Sequence, residues 1–239
     1  MLGEKLKLNN WIDIHFNMIN SENYISLQRE LITSNTQLIA VSKTKPVSDI
    51  QELYDAGQRV FGENYVQELV DKQPQLPAAI QWHFIGHLQS NKVKYIAPFV
   101  HTIHAVDSLK LLIEIDKQAA KNNRIINCLL QLQIADEDTK FGLSENEIIE
   151  LVKEIHQQNF KNILIVGIMA MATNTDDESK IEMEFIEVKQ IFEKLQSEYF
   201  SSSNSFKQIS MGMSSDYKLA IKHGSTMVRI GSLLFGSRN

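Results

Sequence analysis

A lysine directly follows a short apolar segment, and this position suits covalent chemistry on a carbonyl group. Leu38–Ser42 is apolar and rich in branched residues, Lys43 comes next, and Pro46 prevents further strand pairing. Burial at a strand end disfavours the ammonium form and leaves the amine as a nucleophile. A free amine on a rigid strand is what a Schiff base with an aldehyde requires. The alternative is a lysine that ends the strand and extends into water, and the segment alone favours this alternative.

Two segments that contain Ser and Gly could hold a phosphate group. Ser210-Met211-Gly212 and Gly231-Ser232 each follow an apolar segment and offer hydroxyls and backbone amides. A helix predicted to begin near Ser214 would add further amide donors. A turn followed by a helix cap uses the same residue types, so both interpretations remain open. Arg229 precedes the second segment and could either pair with an acid or contact a ligand.

The histidines do not predict a metal site. His83 and His87 are four residues apart, but they lie in a strand and a turn, and no Glu follows His83 as in a helical zinc motif. His101 and His104 flank a short strand and are expected to project to opposite faces or to fray. Four methionines are expected to line a pocket or fill the core: Met169, Met171, Met211 and Met213.

The elements that must position these residues alternate along the chain. Short apolar segments predicted as strands are separated by amphipathic helical segments. Eight such units in 239 residues fit an α/β fold, a single (β/α)8 TIM-type barrel with an extra N-terminal helix within residues 1–32. An open doubly wound sheet is the alternative, but no Gly-x-Gly-x-x-Gly follows the first strand. No linker divides the chain, so one domain is expected over residues 1–239. The predicted strands are Leu38–Ser42, Arg59–Phe61, Ile80–Ile85, Thr102–Ala105, Ile126–Ile134, Ile163–Met169, Lys207–Ser210 and Met227–Ile230.

Capping residues predict where the helices begin. Ser48 is predicted as the N-cap of the helix after the first strand, and Ser144 with Glu147 is predicted to form a capping box. The predicted helices are Ser48–Ala56, Ser108–Lys121, Ser144–Gln157, Asp177–Tyr199 and Ser214–His223.

Composition excludes several classes of protein. The net charge of -5 and the pI of about 5.8 argue against a nucleic-acid binder, although a local site could still be positive. Cys128 is the only cysteine, so no intrachain disulfide is possible. The longest apolar run, Ile163–Met171, is too short to span a bilayer, and the N-terminal segment has no unbroken apolar core. We therefore expect a cytoplasmic protein without a membrane partner, and a monomer because no apolar stripe is apparent.

Six short motifs in a fixed order resemble those of the pyridoxal phosphate homeostasis proteins (the YggS/PROSC family). The resemblance runs from about Leu38 to Gly236. This family is in turn similar to the N-terminal barrel domain of alanine racemase. The motifs are Ala40-Val41-Ser42-Lys43-Thr44-Lys45-Pro46, Phe61-Gly62-Glu63-Asn64-Tyr65, Trp82-His83-Phe84-Ile85-Gly86-His87-Leu88-Gln89-Ser90-Asn91-Lys92, Lys140-Phe141-Gly142, Ser210-Met211-Gly212-Met213-Ser214 and Arg229-Ile230-Gly231-Ser232.

The resemblance implies a role for each candidate residue. Lys43 would form a Schiff base with pyridoxal 5'-phosphate, and Arg229 would face the pyridine nitrogen. The phosphate would be held by Ser210, Met211, Gly231 and Ser232. The ring would be bordered by Asn64, His83 and Met169. One departure is the end of the sixth strand, where Met169-Ala170-Met171-Ala172 replaces a proline that many relatives carry.

The family is regarded as lacking enzyme activity, and it is linked to intracellular pyridoxal phosphate balance, with enzymes that need this cofactor as candidate partners. An arginine at the pyridine nitrogen cannot accept the proton of the ring, which makes the ring a poorer electron sink. The sequence ends at Asn239, so we expect no C-terminal β-domain to supply a second acid/base. A racemase of low activity on the same cofactor is the second interpretation. A cofactor-free Schiff-base aldolase is the third, and the motif set argues against it.

Overall fold

Eight parallel strands close into a barrel, as the alternating pattern predicts. The computed structural model describes residues 21–135 and 141–236. Each strand pairs with its neighbours in chain order, and the eighth pairs with the first, so the (β/α)8 barrel is confirmed. The strands are β1 Gln37–Val41, β2 Val60–Glu63, β3 Gln81–Phe84, β4 Thr102–Val106, β5 Ile126–Leu132, β6 Ile163–Ala170, β7 Gln208–Ser210 and β8 Met227–Ile230.

Helices surround the barrel, and one of them precedes the first strand. This helix, Ser21–Ser34, confirms the predicted extra N-terminal helix; the predicted interval 1–32 also includes residues 1–20, which lie outside the described residues. Short 3₁₀ turns at Gln73–Gln75 and Ser90–Lys92 lie between the strands. The helices are α1 Ser21–Ser34, α2 Val47–Asp55, α3 Val66–Lys72, α4 Val93–Ile96, α5 Leu109–Lys121, α6 Glu145–Gln157, α7 Glu178–Glu198, α8 Tyr217–Lys222 and α9 Ser232–Phe235.

Two of the predicted helix starts were wrong, and one capping motif is confirmed. Ser144 and Glu147 form both bonds of the capping box. Ser48 lies inside α2 and its hydroxyl donates to Asp49, because Pro46, with its fixed φ, already ends the preceding turn at the N-cap position. Helix α8 begins at Tyr217 and not at Ser214, because residues 213–216 form a turn closed by hydrogen bonds to Met213.

The core has two layers. Six strands contribute to a small cluster that fills the barrel interior, with Ile39, Val60, Leu129 and Met169 among its members. A larger cluster packs the outward side of the strands against the helices. This alternation decides which residues of each strand can reach the interior and the mouth of the barrel.

A bulge in β4 overturns the expectation for two histidines. The register between β4 and β5 shifts between Ile103 and Val106, both of which pack in the outer layer. The bulge allows His104 and Ala105, which are consecutive, to contact the interior. His101 stacks on His83 with ring centroids 5.5 Å apart, and His104 lies 5.0 Å from the same ring. His101 and His104 therefore meet at His83 and do not diverge.

None of the helices in the described part of the chain is long and apolar enough to cross a membrane. Within residues 21–135 and 141–236, no group of three or more His, Cys, Asp or Glu side chains is arranged to hold a metal ion. Cys128 is buried, and burial raises the pKa of its thiol far above the ordinary value.

Candidate functional site at the barrel mouth

A cavity of about 480 Å³ opens at the C-terminal ends of the strands, where barrels of this type hold their ligands. Lys43, Lys45 and Arg229 are its titratable residues within the described part of the chain, so its lining carries three cationic side chains and no carboxylate. Its walls are formed by β1, β8 and the segments that follow β1, β2, β3, β6, β7 and β8. The lining residues are Val41, Lys43, Lys45, Asn64, Ile85, Met171, Met213, Ser214, Ser215, Arg229, Gly231, Ser232, Leu233 and Gly236.

Lys43 occupies a tight turn at the end of β1. The Lys45 amide donates to the Ser42 carbonyl at 3.1 Å, so Lys43 and Thr44 are the two central residues. Thr44 has a φ of 65°, a left-handed conformation that β-branched residues rarely adopt. A positive φ at this third position is what a type II turn requires and is usually supplied by glycine. The turn reverses the chain immediately after Lys43.

A buried ion-pair cluster, formed by Glu63, Glu68 and Lys72, lies behind this turn. The Lys72 ammonium donates to Glu63 Oε1 at 2.8 Å, to Glu68 Oε1 at 2.5 Å and to the Ser42 carbonyl at 2.8 Å. Ser42 donates its hydroxyl to Glu63 Oε1 at 2.7 Å, and the Thr44 amide donates to Glu68 Oε1 at 2.5 Å. The three donors of the ammonium are therefore all used.

The charges in this cluster are unequally balanced. Glu63 is fully buried, and burial raises the pKa of its carboxyl although Lys72 lowers it. Its second oxygen, Oε2, has no hydrogen-bond partner among the residues that the structure describes. The buried negative charge of Glu63 is thus compensated by the ammonium of Lys72.

Arg229 lies on β8, next to β1, and is held by oxygens of β6 and β7. Its Nη1 donates to the carbonyl and to the hydroxyl of Ser210, both at 2.8 Å, and Nη2 donates to the Ala170 carbonyl at 2.9 Å. Burial lowers the pKa of Arg229 to about 10, with Asp216 acting in the other direction. The guanidinium therefore stays charged near neutral pH.

A chain of neutral groups continues from Arg229 into the barrel. Ser210 Oγ lies 3.1 Å from His104 Nδ1, and His104 Nε2 lies 2.9 Å from His83 Nδ1. Burial lowers the pKa of His83 to about 3 and places that of His104 well below its ordinary value, with nearby positive charge contributing to both shifts. Both imidazoles are therefore neutral.

The direction of these hydrogen bonds follows from Arg229. Arginine can only donate, so Ser210 Oγ accepts from it, and the buried Ser210 hydrogen has His104 Nδ1 as its acceptor. His104 then carries its proton on Nε2 and donates to His83 Nδ1. His83 in turn carries its proton on Nε2 and lines a second cavity, of about 360 Å³, at the other end of the barrel.

The structure brings together five of the nine residues singled out from the sequence. Lys43, Asn64, Arg229, Gly231 and Ser232 line the mouth cavity. The other four are buried and do not line it: His83, Met169, Ser210 and Met211. Ser210 contacts Arg229 from below, His83 connects to Ser210 through His104, Met169 fills the barrel interior and Met211 packs in the outer layer.

Several residues at or behind the site were missed. Ser214 and Ser215 line the cavity because the turn before α8 is longer than predicted. Lys45 also lines it and donates to the Phe235 carbonyl at 2.8 Å. The spacing of Glu68 and Lys72, four residues apart on a helix, was the available signal for the ion-pair cluster.

Gly212 shows why the loop after β7 needs its glycine. Its φ is 94°, and a Cβ built there would approach the Ala220 Cβ to 2.6 Å. The Gly212 carbonyl accepts from the Arg229 amide at 3.0 Å, so this loop is fixed to β8 beside the guanidinium. Glycine therefore sets the position of the loop that carries Ser214.

The cavity suits a small anionic aldehyde. Three cations can compensate a phosphate, and the loops after β7 and β8 supply hydroxyls at Ser214, Ser215 and Ser232. Asn64 also lines the cavity, and its buried Oδ1 has no hydrogen-bond partner within residues 21–135 and 141–236, which leaves an acceptor for a ligand. The residues present therefore fit pyridoxal 5'-phosphate.

The barrel and its lysine-bearing mouth define a class of protein. Residues 20–239 match the family described as alanine racemase, N-terminal domain. Alanine racemase from Bartonella henselae, at 18% identity and a TM-score of 0.65, covers 90% of this chain but only 59% of its own, and shows the fold alone.

Curated relatives narrow the class. A pyridoxal phosphate homeostasis protein of Pasteurella multocida is 42% identical over 211 residues, which is 86% of this chain and 88% of that protein. One of Haemophilus influenzae is 38% identical over 232 residues, 95% and 96% of the two chains. The chain belongs to the pyridoxal phosphate homeostasis protein family.

A solved structure of similar size supports this assignment. PipY of Synechococcus elongatus, solved with PLP bound, is 34% identical with a TM-score of 0.81, and the match covers 90% of this chain and 99% of that one. The same protein solved without PLP has a TM-score of 0.83 at the same identity and coverage.

Proposed function

We propose that this protein binds pyridoxal 5'-phosphate at the barrel mouth and takes part in the intracellular balance of this cofactor. The observation that carries the proposal is one cavity in which Lys43 is joined by Lys45 and Arg229 without a lining carboxylate in the described residues. The names of the curated relatives and the PLP-bound PipY structure support the same ligand.

Lys43 is the residue that binds covalently. Its Nζ amine condenses with the aldehyde of the ligand, so that a C=N bond replaces the C=O bond and one water leaves. The turn that Thr44 closes places Lys43 at the mouth, on the wall formed by Val41 and Gly231. The reaction is reversible with water, as release of the ligand to other proteins requires.

Residues of β7 and β8 bind the remainder of the ligand. In this proposal the phosphate is contacted by Gly231 and Ser232, with Ser214 and Ser215, and the proposal is supported by the presence of all four in the cavity lining. Ser210 and Met211 are buried behind this lining. Arg229 would face the pyridine nitrogen as a permanent donor, because its guanidinium stays charged near neutral pH. Ser210 and Ala170 hold the guanidinium in place. When bound, the cofactor supplies an aldehyde and a ring that can accept electrons.

We also propose that the protein does not catalyse efficient turnover of a substrate with the bound cofactor. Arg229 cannot take up a proton near neutral pH, and the titratable residues that line the cavity in the described ranges are all cationic. A second candidate function is a racemase of low activity on the same ligand. It is favoured by Lys45, a second amine that reaches the cavity, and by the alanine-racemase-like barrel.

The visible spectrum of the purified protein tests the covalent bond. We expect an absorption band of a protonated Schiff base that borohydride abolishes, with the reduced adduct located on Lys43 by mass spectrometry. Lys43→Ala should lose both, while Lys153→Ala, on an exposed surface of α6, should keep both. A wild-type protein that takes up no pyridoxal 5'-phosphate would overturn the proposal.

Incubation with single amino-acid enantiomers separates the two candidate functions. We expect no change in optical purity over many equivalents of amino acid. Steady racemisation that disappears in Lys43→Ala would show that the protein is a racemase and would overturn the proposed absence of efficient turnover. A parallel assay with an apo-enzyme that needs the cofactor would show whether the holo-protein restores its activity, as a role in cofactor balance predicts.

A further inference from the structure

We propose that the ion-pair cluster Glu63, Glu68 and Lys72 is a positioning device for Lys43, which sets how readily its amine forms the Schiff base. The inference rests on the proposed function and adds residues outside the cavity to it. None of the three lines the mouth cavity. They act on Lys43 through the backbone on both sides of it.

The residues before and after Lys43 are both tied to the cluster. Ser42 is bound twice, through its hydroxyl to Glu63 at 2.7 Å and through its carbonyl to Lys72 at 2.8 Å. Thr44 is bound through its amide to Glu68 at 2.5 Å. Lys43 itself lies between two anchored peptide units, so its Cα is fixed from behind while its side chain lines the cavity.

The cluster also explains how an unfavourable backbone conformation persists. A β-branched residue at positive φ is strained, and Thr44 is exposed, so packing does not hold it there. The charge-assisted hydrogen bond from its amide to Glu68 favours the turn. Glu68 is in turn held by Lys72 at the end of the same helix.

The position of the cluster agrees with a role that is more than packing. Lys72 and Glu63 are almost completely buried, where a hydrophobic pair of similar size would serve stability equally well. A charged cluster in this place instead binds the specific carbonyl and amide groups that flank Lys43. The orientation of the amine is therefore what these buried charges secure.

Two ligands that differ only at the reacting carbon test the proposal. Pyridoxal 5'-phosphate can form the Schiff base, and pyridoxine 5'-phosphate, which carries a hydroxymethyl group there, cannot. The ratio of their dissociation constants isolates the covalent contribution from the phosphate and ring contacts. We expect Glu68→Ala to reduce this ratio about tenfold, which corresponds to about 1.4 kcal/mol, with little change in pyridoxine 5'-phosphate binding.

Matched variants separate positioning from general damage. Glu68→Gln keeps an oxygen acceptor for the Thr44 amide and should recover most of the ratio. Glu150→Ala, which breaks an exposed ion pair on α6, should leave it unchanged. Ser42→Ala removes one anchor without a charge and should lower the ratio about threefold, so it serves if Glu68→Ala does not fold.

The two proposals fail in different ways. If the wild-type protein binds both ligands equally, the Schiff base itself is absent and the covalent part of the proposed function is wrong. If the wild type prefers the aldehyde but folded Glu68→Ala keeps the full ratio, or loses affinity for both ligands equally, the positioning role is wrong. Cooperative thermal unfolding of each variant establishes that it is folded.

Discussion

The two sides of the barrel mouth use buried polar groups in different ways. On the β1–β2 side, an ion-pair cluster outside the barrel wall binds the backbone around Lys43. On the β7–β8 side, a chain of neutral groups inside the barrel binds the side chain of Arg229. The first arrangement contains charges of both signs, and the second contains one cation above two neutral imidazoles.

This difference matches what each side must do in the proposed site. Lys43 must move its amine during bond formation, so its backbone is fixed and its side chain is left to line the cavity. Arg229 undergoes no covalent change, so its guanidinium can be fixed directly. Lys43 is thus held through its backbone and Arg229 through its side chain. Acidification should therefore change the stability of the two sides in opposite directions.

The largest effect is expected where a buried charge loses its partner. Lys72→Met leaves Glu63 buried and unpaired, which should lower the free energy of unfolding by about 3–5 kcal/mol in urea titrations. The pKa of Glu63, already raised by burial, should rise further. Because the folded state then binds this proton more tightly than the unfolded state, acidification should recover part of the loss.

The double variant Glu63→Gln with Lys72→Met provides the control. It removes the uncompensated charge and should be more stable than Lys72→Met alone. If Lys72→Met alone were as stable as the wild type, the β1–β2 side would not depend on its buried charges, and the contrast with the β7–β8 side would be wrong.

The histidine side should respond to acid in the opposite direction. The pKa of His83 falls from 6.5 to about 3 on folding, so the unfolded chain binds the proton more tightly between these values. The stability of the wild type is therefore fully present above about pH 6.5 and is lost as the pH falls toward 3, with a loss of about 2–3 kcal/mol at about pH 4.5 from His83 alone. Urea unfolding at about pH 6.5 and at about pH 4.5 measures this loss of stability.

Replacing His83 sharpens this test. His83→Phe removes the titrating group and should flatten the acid dependence, even where the variant is less stable near neutral pH. An unchanged slope would assign the acid sensitivity to other groups.

A smaller loss of stability is expected when the hydrogen bonds that join Arg229, Ser210 and His104 are interrupted. Ser210→Ala removes the donor to His104 and one acceptor of Arg229, and should cost about 1–3 kcal/mol because both partners stay buried. Ser214→Ala, at a half-buried serine of the cavity wall, is the matched control and should change stability by about 0.5 kcal/mol or less. Equal losses in the two variants would contradict the chain described for Ser210.

The smallest effect concerns the turn at Lys43. Thr44→Gly relieves the positive φ but increases the freedom of the unfolded chain, so a change of less than about 1 kcal/mol is expected, stabilising in sign. Thr44→Ala keeps a Cβ at the same φ and should lack this gain. Thermal unfolding of both variants, compared at one pH, measures the difference, and a strongly destabilised glycine variant would mean that the threonine side chain itself supports the turn.

Much of the fold could be predicted from the sequence because its signals are local. Apolar segments of strand length alternate with amphipathic helices, and the eight strands predicted in this way all occur in the barrel. Lys43 and Arg229 could be placed at the mouth because strand ends and barrel mouths coincide. The capping box at Ser144 follows from the spacing of two residues in one turn.

The remaining features depend on contacts that no local pattern contains. The inward direction of His104 arises from a register shift between two strands, which strict alternation does not anticipate. Ser210 was predicted to contact phosphate, and its place beneath Arg229 depends on residues of three strands coming together. The roles of Ser210, Met211, His83 and Met169 in ligand binding stay predictions.

The fixed direction of the hydrogen bonds below Arg229 has a consequence for proton movement through the barrel. A proton that arrives from the far cavity meets His83 Nε2, which already carries one, and each later group would have to reverse its bond. Arg229 ends the chain and has no lone pair with which to accept such a reversal. This hydrogen-bond chain therefore gives a proton no ready path from the far cavity to the mouth.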